Sequence, residues 1–290
     1  MNRGRSSVMA LAAIVVAGAL AACERSSPPT PGAAAVEQRR AAPTPRLEAP
    51  ARAAVLEQQL AYGEAKSRNL VGFLAMPADA AEPLPAVIVI HEWWGLNNEI
   101  KTLTRRLAAE GYVALAVDLY GGATATTPAD AEKLMTGVFT DPEAARANVR
   151  QAYEYLEKYA FAPRIGSIGW AFGGSWSLEA ALLLPNQLDA TVTYYGPLVT
   201  DAAKLQPIDA PILGLYGALD ESIPARDVIA FRALLTNQLH KNAKIVIYPN
   251  ARHAFASVGD GDYNAEAAAQ AWSETLAFLN ENLKLKAARP

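Results

Sequence analysis

The sequence predicts an α/β fold in which a mostly parallel central sheet carries helices on both faces. Short apolar segments alternate with helical segments of 12 or more residues from Leu70 onward, which is the pattern of repeated strand–helix–strand units. Some of the short segments are apolar without interruption, as expected of strands that are covered on both faces. Hydrophobic residues make up 51% of the chain, which is enough for one large core.

Seven segments are predicted as strands. The segment 85–91 is typical of a buried strand, because all residues from Ala86 to Ile90 are apolar. The segment 113–118 is predicted as another buried strand for the same reason. In chain order the predicted strands are 70–76, 85–91, 113–118, 165–170, 191–195, 212–216 and 245–248.

Five segments between and after these strands are predicted as helices. The first has Ile100, Leu103 and Leu107 at helical spacing, an asparagine cap at its start and Gly111 at its end. In such a sheet the reactive groups are expected in the loops at the carboxyl ends of the strands. In chain order the predicted helices are 97–110, 142–159, 173–184, 223–239 and 264–282.

Composition excludes several classes of function. The 290-residue chain has 26 basic and 29 acidic residues, a formal net charge of −3 and no basic run. Nucleic acid is therefore not an expected partner, because phosphate binding requires clustered Lys and Arg. The single cysteine, Cys23, allows neither an intramolecular disulfide nor a zinc site of several cysteines. Neither a cofactor nor a metal is expected.

The first 22 residues have the layout of a secretion signal. Arg3 and Arg5 precede an apolar run of about 15 residues, which is short of the roughly 20 that a membrane-spanning helix needs. The run ends in Leu-Ala-Ala-Cys at Cys23, which resembles the lipobox of bacterial lipoproteins and implies lipidation of that cysteine. Glu24 follows instead of an aspartate, which implies the outer membrane, facing the periplasm. The alternative is an ordinary secretory signal in which Cys23 is incidental.

Residues 23–54 are predicted to be a tether between this anchor and a folded domain. The segment is rich in Ala, Pro and Arg and shows no apolar periodicity, which favours an extended chain. The pattern changes at Val55. Residues 55–290 are therefore predicted to form one domain, held by its lipid anchor in a bacterial cell envelope.

A sharp strand-to-helix turn is predicted around Ala171. Gly169 and Gly173 flank it in the layout G-x-nucleophile-x-G, where the turn leaves no room for a Cβ two residues before or after the apex. The apex side chain then lies at a helix N-terminus, where the helix dipole favours a developing anion. Taken alone, the motif is equally compatible with simple glycine packing. The alanine at its apex has no nucleophilic atom.

Five motifs follow one another along the predicted domain. They are 90–97 (IHEWWGLN), 108–120 (AAEGYVALAVDLY), 169–174 (GWAFGG), 216–220 (YGALD) and 253–255 (HAF). In this order they resemble the dienelactone hydrolase family, a group of α/β-hydrolases with a Cys–His–Asp triad. The resemblance extends from about Glu57 to the last helix. It implies an α/β-hydrolase fold and hydrolysis of small esters or lactones.

The resemblance also implies roles for individual residues. Asp220 and His253 match the triad acid and base, and Ala171 occupies the place of the cysteine. In a triad the imidazole moves the proton and the carboxylate orients the imidazole. Glu92 matches a glutamate that contacts the cysteine and helps to form its thiolate. The structural alternatives are a turn or helix-cap aspartate for Asp220, a loop histidine for His253 and a hydrogen-bonded carboxylate in the pocket wall for Glu92.

An apolar, aromatic pocket is predicted around these groups. The oxyanion hole is implied at the backbone N–H groups of Trp93 and Phe172. The arginines that bind the carboxylate of a dienelactone in the family have no counterpart, since Ser257 stands at one position and segment 127–130 contains no basic residue. A neutral ester or lactone is therefore favoured. Five aromatic residues are candidates for the pocket wall or, alternatively, for the core: Trp94, Tyr120, Trp176, Tyr195 and Phe255.

Ala171 is open to three interpretations. It is a cysteine-to-alanine change made to inactivate the enzyme, or a natural loss of turnover, or the sign of a site in which Glu92 and His253 activate water directly. The rival class is a lipid-anchored, non-catalytic binding protein that uses the same pocket. The sequence leaves the physiological substrate and the oligomeric state open.

Overall fold

Eight strands form the central sheet of the computed structural model, which describes residues 54–65 and 68–285. They are β1 (Val55–Ala65), β2 (Arg68–Pro77), β3 (Ala86–Ile90), β4 (Val113–Val117), β5 (Ile165–Trp170), β6 (Ala190–Tyr194), β7 (Ile212–Gly217) and β8 (Ala243–Tyr248). Their order across the sheet is β1-β2-β4-β3-β5-β6-β7-β8. Only β1–β2 and β2–β4 pair antiparallel, and the other five pairs are parallel. The predicted mostly parallel sheet is confirmed.

Helices cover both faces of this sheet. Side chains of α1 and α7 pack on one face, and those of α3, α4 and α6 pack on the other. The last turns after α6 and α7, Leu234–Gln238 and Asn280–Lys284, are π-helical. The helices are α1 (Asn98–Ala109), α2 (Pro128–Thr140), α3 (Pro142–Lys158), α4 (Phe172–Leu183), α5 (Ala202–Leu205), α6 (Ala225–Ala233) and α7 (Ala265–Leu279).

Two long elements, β1 and α2, were not predicted from the sequence. β1 is exposed along most of its length at the edge of the sheet, so it lacks the apolar run that marks a buried strand. α2 also has few buried side chains, which weakens its helical periodicity. Its start does carry a signal, since the Thr127 hydroxyl accepts the Asp130 N–H at 3.2 Å and Pro128 is the first helical residue.

The chain divides into two units, residues 1–49 and 50–290, and every described residue lies in the second. The predicted signal 1–22, Cys23 and the tether as far as residue 53 lie outside the described residues. Within 54–65 and 68–285, no helix is both long and apolar enough to cross a membrane.

The topology brings the candidate reactive residues to one edge of the sheet. Glu92 follows β3, Ala171 follows β5 directly, Asp220 follows β7 and His253 follows β8. These strands run parallel, so their carboxyl ends meet at the same edge. This is the edge at which parallel α/β sheets place their ligands.

Candidate active site

The turn between β5 and α4 has the geometry of a nucleophile elbow. Ala171 has φ 48° and ψ −112°, a backbone conformation that is strained for any residue with a Cβ. A Cβ on Gly169 would lie 2.0 Å from the carbonyl oxygen of Gly173, and one on Gly173 would lie 2.3 Å from that of Ile90. Both glycines are therefore required by close backbone approach. The strain at Ala171 is the kind found at functional sites.

Asp220 and His253 form a hydrogen-bonded pair. The Nδ1 of His253 lies 2.7 Å from Oδ2 of Asp220, and Oδ1 of Asp220 accepts the backbone N–H groups of Ser222 and Ile223 at 2.8 and 3.0 Å. The carboxylate is fully buried, whereas 34% of the His253 side chain is exposed. The aspartate is thus fixed by three donors and holds the imidazole by one nitrogen, so that Nε2 is left for the pocket.

Backbone contacts between the loops after β7 and β8 set the distance between this acid and this base. The N–H of Leu219 donates to the carbonyl of Ala251 at 2.9 Å. A Cβ on Gly217 would lie 2.3 Å from that same carbonyl oxygen, so glycine permits the close approach of the two loops. Ala254, directly after His253, has φ 53°. Asp220 follows β7 and His253 follows β8, and these loop contacts bring the two side chains together.

The charge states of the pair support each other. Burial raises the pKa of Asp220, but the hydrogen bonds from His253 and Ile223 outweigh it, so the pKa lies below its usual value. Burial lowers the pKa of His253, but the hydrogen bond and negative charge of Asp220 raise it by more. The arrangement therefore stabilises an imidazolium beside a carboxylate, the state that a triad forms when its base takes up a proton.

A pocket of about 380 Å³ opens in front of this pair. Ala171 at the elbow and His253 both line it, as do Glu92, Trp93 and Trp94. Phe172 lines it too and is the first residue of α4, where backbone N–H groups have no partner within the helix. The oxyanion donors expected at positions 93 and 172 thus belong to residues of this one pocket, together with the base and the elbow. Among the residues that the structure describes, no group of three His, Cys, Asp or Glu side chains is placed to hold a metal ion.

Four of the five aromatic residues expected in the pocket wall are placed elsewhere. Tyr120 lines a separate pocket beside α2 and α3 and its ring contacts that of Phe172. Trp176, Tyr195 and Phe255 are buried in the core and do not line the catalytic pocket. These three side chains pack among the core residues on the two faces of the sheet, as the alternative assignment expects.

Five residues of the pocket wall were missed by sequence reasoning. Phe139 and Met135 come from α2, whose helical character was not recognised, and Phe139 remains 52% exposed although it packs edge-on against Phe172. The others lie in loops, where the sequence gives no periodicity to read. The missed residues are Met135, Phe139, Pro197, Ala254 and Asp260.

His91 is part of the support of the site and not of its reactive surface. Its side chain is fully buried, its Nε2 accepts the N–H of Leu119 at 3.1 Å, and its Nδ1 therefore donates to the carbonyl of Glu92 at 2.6 Å. Burial lowers its pKa, which favours the neutral ring. His91 thereby fixes the loop that carries Glu92 and Trp93.

Glu92 is buried in the pocket wall, with 6% of its surface exposed. The hydroxyl of Tyr195 donates to its Oε1 at 3.2 Å, and the hydroxyl of Ser257 lies 3.3 Å from its Oε2. Burial and the negative charge of Glu99 raise the pKa of Glu92 to about 7, because the two hydroxyl hydrogen bonds offset only part of these effects. The carboxyl group therefore changes its charge near neutral pH.

The profile of the dienelactone hydrolase family matches residues 70–283. The chain belongs to the dienelactone hydrolase family. This confirms the resemblance and the α/β-hydrolase fold, and it makes the chain a member of a group of carboxylic ester hydrolases.

Similar proteins agree with this dienelactone hydrolase assignment. A protein of Saccharolobus solfataricus with the provisional name carboxymethylenebutenolidase is 31% identical over 261 residues, covering 77% of this chain and 98% of that protein. The protein usf of Aquifex pyrophilus is 32% identical over 235 residues, covering 78% and 99%. The crystal structure of a dienelactone hydrolase-like promiscuous phosphotriesterase from metagenomic libraries superposes with a TM-score of 0.71 at 26% identity, covering 79% and 99%.

The pocket combines an acid–base pair with an elbow that carries no attacking atom. The methyl group of Ala171 lines the pocket together with His253 and with Phe172 at the N-terminus of α4. Such an arrangement can bind a carbonyl compound and polarise it. It cannot form a covalent acyl intermediate at position 171.

Proposed function

We propose that this chain binds small neutral esters or lactones and turns them over very slowly, because Ala171 supplies no attacking atom. One observation supports this most directly: His253, which lies 2.7 Å from Asp220, lines the same pocket as the strained elbow at Ala171. Removing the nucleophile of a triad costs several orders of magnitude in rate, and a residual activity remains from the oxyanion hole and from binding.

The charges of the pocket favour a substrate without a carboxylate. Its titratable lining residues are Glu92, Asp260 and His253, and neither lysine nor arginine is among the described lining residues. Ser257, which stands where the family has an arginine, is bonded to carboxylates and does not line the pocket. Once Glu92 is ionised, above about pH 7, an anionic substrate therefore meets two carboxylates, and no lysine or arginine of the described lining neutralises them.

A pair of matched esters tests this preference. At about pH 8, where the Glu92 carboxyl group is ionised, methyl 4-acetoxybenzoate should bind at least about 10-fold more tightly than 4-acetoxybenzoate, because the carboxylate of the latter faces like charge. The fluorescence of Trp93 and Trp94, which line the pocket, reports binding, and phenol release reports turnover. Equal or tighter binding of the carboxylate would contradict the neutral-substrate proposal.

The His253→Ala variant separates slow turnover from direct activation of water. Phenol release by the parent chain should be slow with either ester. If the parent is fast and His253→Ala abolishes its activity, then the imidazole activates water without a covalent intermediate, and the view of Ala171 as a block to turnover is wrong.

The second candidate is a non-catalytic binding protein that uses the same pocket. The methyl group of Ala171 favours it, since a binding site needs no nucleophile. The intact hydrogen bonds of Asp220 favour the hydrolase instead, because binding alone does not require a base held by a buried carboxylate. A thiol restored at position 171 distinguishes the two candidates.

We propose further that Cys23 is lipidated and anchors the chain at the outer membrane, facing the periplasm. The support is the Leu-Ala-Ala-Cys sequence that ends at Cys23, together with Glu24 after it. Several acyl chains would anchor the protein stably, since each buried CH₂ contributes about 0.8 kcal/mol. Intact-mass analysis of membrane fractions should show a mature chain that begins at acylated Cys23, and Cys23→Ser should abolish the acylated species. A full-length chain, or a soluble chain cut elsewhere, would exclude this anchor.

A further inference from the structure

Ser257 lies between two carboxyl groups. Its hydroxyl oxygen is 3.3 Å from Oε2 of Glu92 and 3.2 and 3.3 Å from the two carboxyl oxygens of Glu99. The N–H of Val258 also donates to Oε1 of Glu99 at 2.7 Å. Ser257 and Glu92 are each 6% exposed, so water has little access to these contacts.

The number of protons limits how these contacts can be made. A serine hydroxyl has one proton and donates to one acceptor at a time. If both carboxyl groups are ionised, Ser257 donates its proton to one of them. In the other contact a lone pair of the hydroxyl oxygen then faces a carboxylate anion, which is repulsive. Both contacts become hydrogen bonds when one carboxyl group is protonated, donates to Ser257, and Ser257 donates to the other carboxylate.

Glu92 is the group whose surroundings favour the proton. It is the more deeply buried of the two, and burial disfavours the ionised form. Glu99 lies in the first turn of α1 and accepts the backbone N–H of Val258, and both the helix dipole and this donor stabilise an anion there.

We infer that the cluster of Glu92, Ser257 and Glu99 holds one added proton, which resides on Glu92 and keeps this carboxyl group of the pocket wall uncharged. Ser257 and Glu99 are then positioning residues that set the charge of Glu92. The consequence for ligands rests on the proposed function. An acidic reaction product, a carboxylate, is tolerated while Glu92 is neutral and repelled once Glu92 ionises.

The other groups around Glu92 act in both directions. Tyr195 donates to its other carboxyl oxygen, which favours the ionised form, whereas the charges of Glu99 and Asp260 disfavour ionisation. His253 lines the same pocket. The pKa of Glu92 is raised to about 7, so the proton is held below this pH and is lost as the pH rises through it.

Glu99 is accessible to mutation without alteration of the catalytic pocket. It lines a different pocket of about 530 Å³ between α1 and α7, with Trp170, Tyr194 and Trp272 in its wall. A substitution at Glu99 therefore changes the partner of Ser257 and leaves the residues that line the catalytic pocket in place.

The proton can be observed directly in the full chain. The infrared carbonyl stretch of a protonated carboxyl group, assigned by its loss in Glu92→Gln, should titrate with a midpoint near 7, because burial and neighbouring charge raise the pKa of Glu92 to about 7. Glu99→Gln should lower this midpoint by at least about half a unit, because a negative charge that opposes ionisation is removed. Glu132→Gln, which removes an exposed carboxylate on α2, should leave the midpoint unchanged and is the matched control.

Two isosteric ligands test the consequence. The Kd of phenylacetate should rise at least about 3-fold between about pH 6 and about pH 8, whereas that of neutral phenylacetamide should stay within about 2-fold. In Glu99→Gln the rise should begin at lower pH. A Glu92 carboxyl group that is ionised over the whole range, or a midpoint that Glu99→Gln shifts no more than Glu132→Gln does, overturns the inference. If the titration is found and neither ligand binds, the added proton stands and the proposed function fails.

Discussion

Replacement of Ala171 by cysteine should raise kcat for p-nitrophenyl acetate by at least about 10³-fold. His253 and Phe172, the first residue of α4, line the same pocket as Ala171, and Asp220 holds His253 by a hydrogen bond, so we expect that only the attacking atom is missing. A thiol there would lie at a helix N-terminus beside an imidazole, and both lower a thiol pKa. Steady-state turnover and a burst of p-nitrophenolate, which reports the acyl intermediate, measure the effect.

Two substitutions at the same position serve as controls. Ala171→Gly relieves the strain of φ 48° without adding a nucleophile, so it should fold at least as well as the parent and gain no activity. Ala171→Ser should rescue less than cysteine, because the position resembles a site built around a thiolate. If the cysteine variant is folded and no faster than the parent, the pocket is not a dormant hydrolase site and the binding-protein candidate is favoured.

In the Ala171→Cys background, Asp220→Asn should lower kcat by about 10²-fold or more. The substitution removes the buried negative charge that raises the pKa of His253, and an amide in this place favours the wrong tautomer of the ring. Because the base must be unprotonated to accept the thiol proton, the acidic limb of the pH–rate profile should also move to lower pH. The measurement is the pH dependence of kcat/KM for p-nitrophenyl acetate.

Asp260→Asn in the same background is the matched control for Asp220→Asn. Asp260 also raises the pKa of His253 by its charge, but it is exposed and its influence on the imidazole is only electrostatic. Its loss should cost less than about 5-fold in kcat, because exposed charges are screened by solvent. If the two substitutions have equal effects, the buried hydrogen bond from Asp220 contributes nothing specific and its assignment as the triad acid is wrong.

The parallel core of the fold was predictable because its signals are local. The strands at 86–90 and 113–117 are apolar at every position, and such an uninterrupted apolar run is typical of a strand that is covered on both faces. β1 escaped prediction because an exposed edge strand has no such constraint. The same reasoning explains α2, since a helix with few buried residues has a weak apolar stripe.

The pocket wall was less predictable than the elbow. The glycines at 169 and 173 are required by backbone contacts within one turn, so the sequence alone identifies them. Tyr195 and Phe255 are aromatic residues next to the site in sequence, yet they pack inward, whereas Phe139 reaches the pocket from a helix that the sequence did not reveal. Which face an isolated aromatic side chain occupies depends on packing partners that are distant in sequence.

The sequence by itself determined the family, the sheet and the elbow with its alanine, and it pointed to the candidate acid and base, because each depends on short motifs whose order along the chain fixes their place at the sheet edge. The charge of the pocket, in contrast, depends on contacts around Glu92 that only the tertiary structure shows. The contacts of Glu92 with Tyr195 and Ser257 join residues separated by 103 and 165 positions, and that of Ser257 with Glu99 spans 158. No local pattern encodes such a cluster, since its energy arises from burial and from charges that only folding brings within a few ångströms.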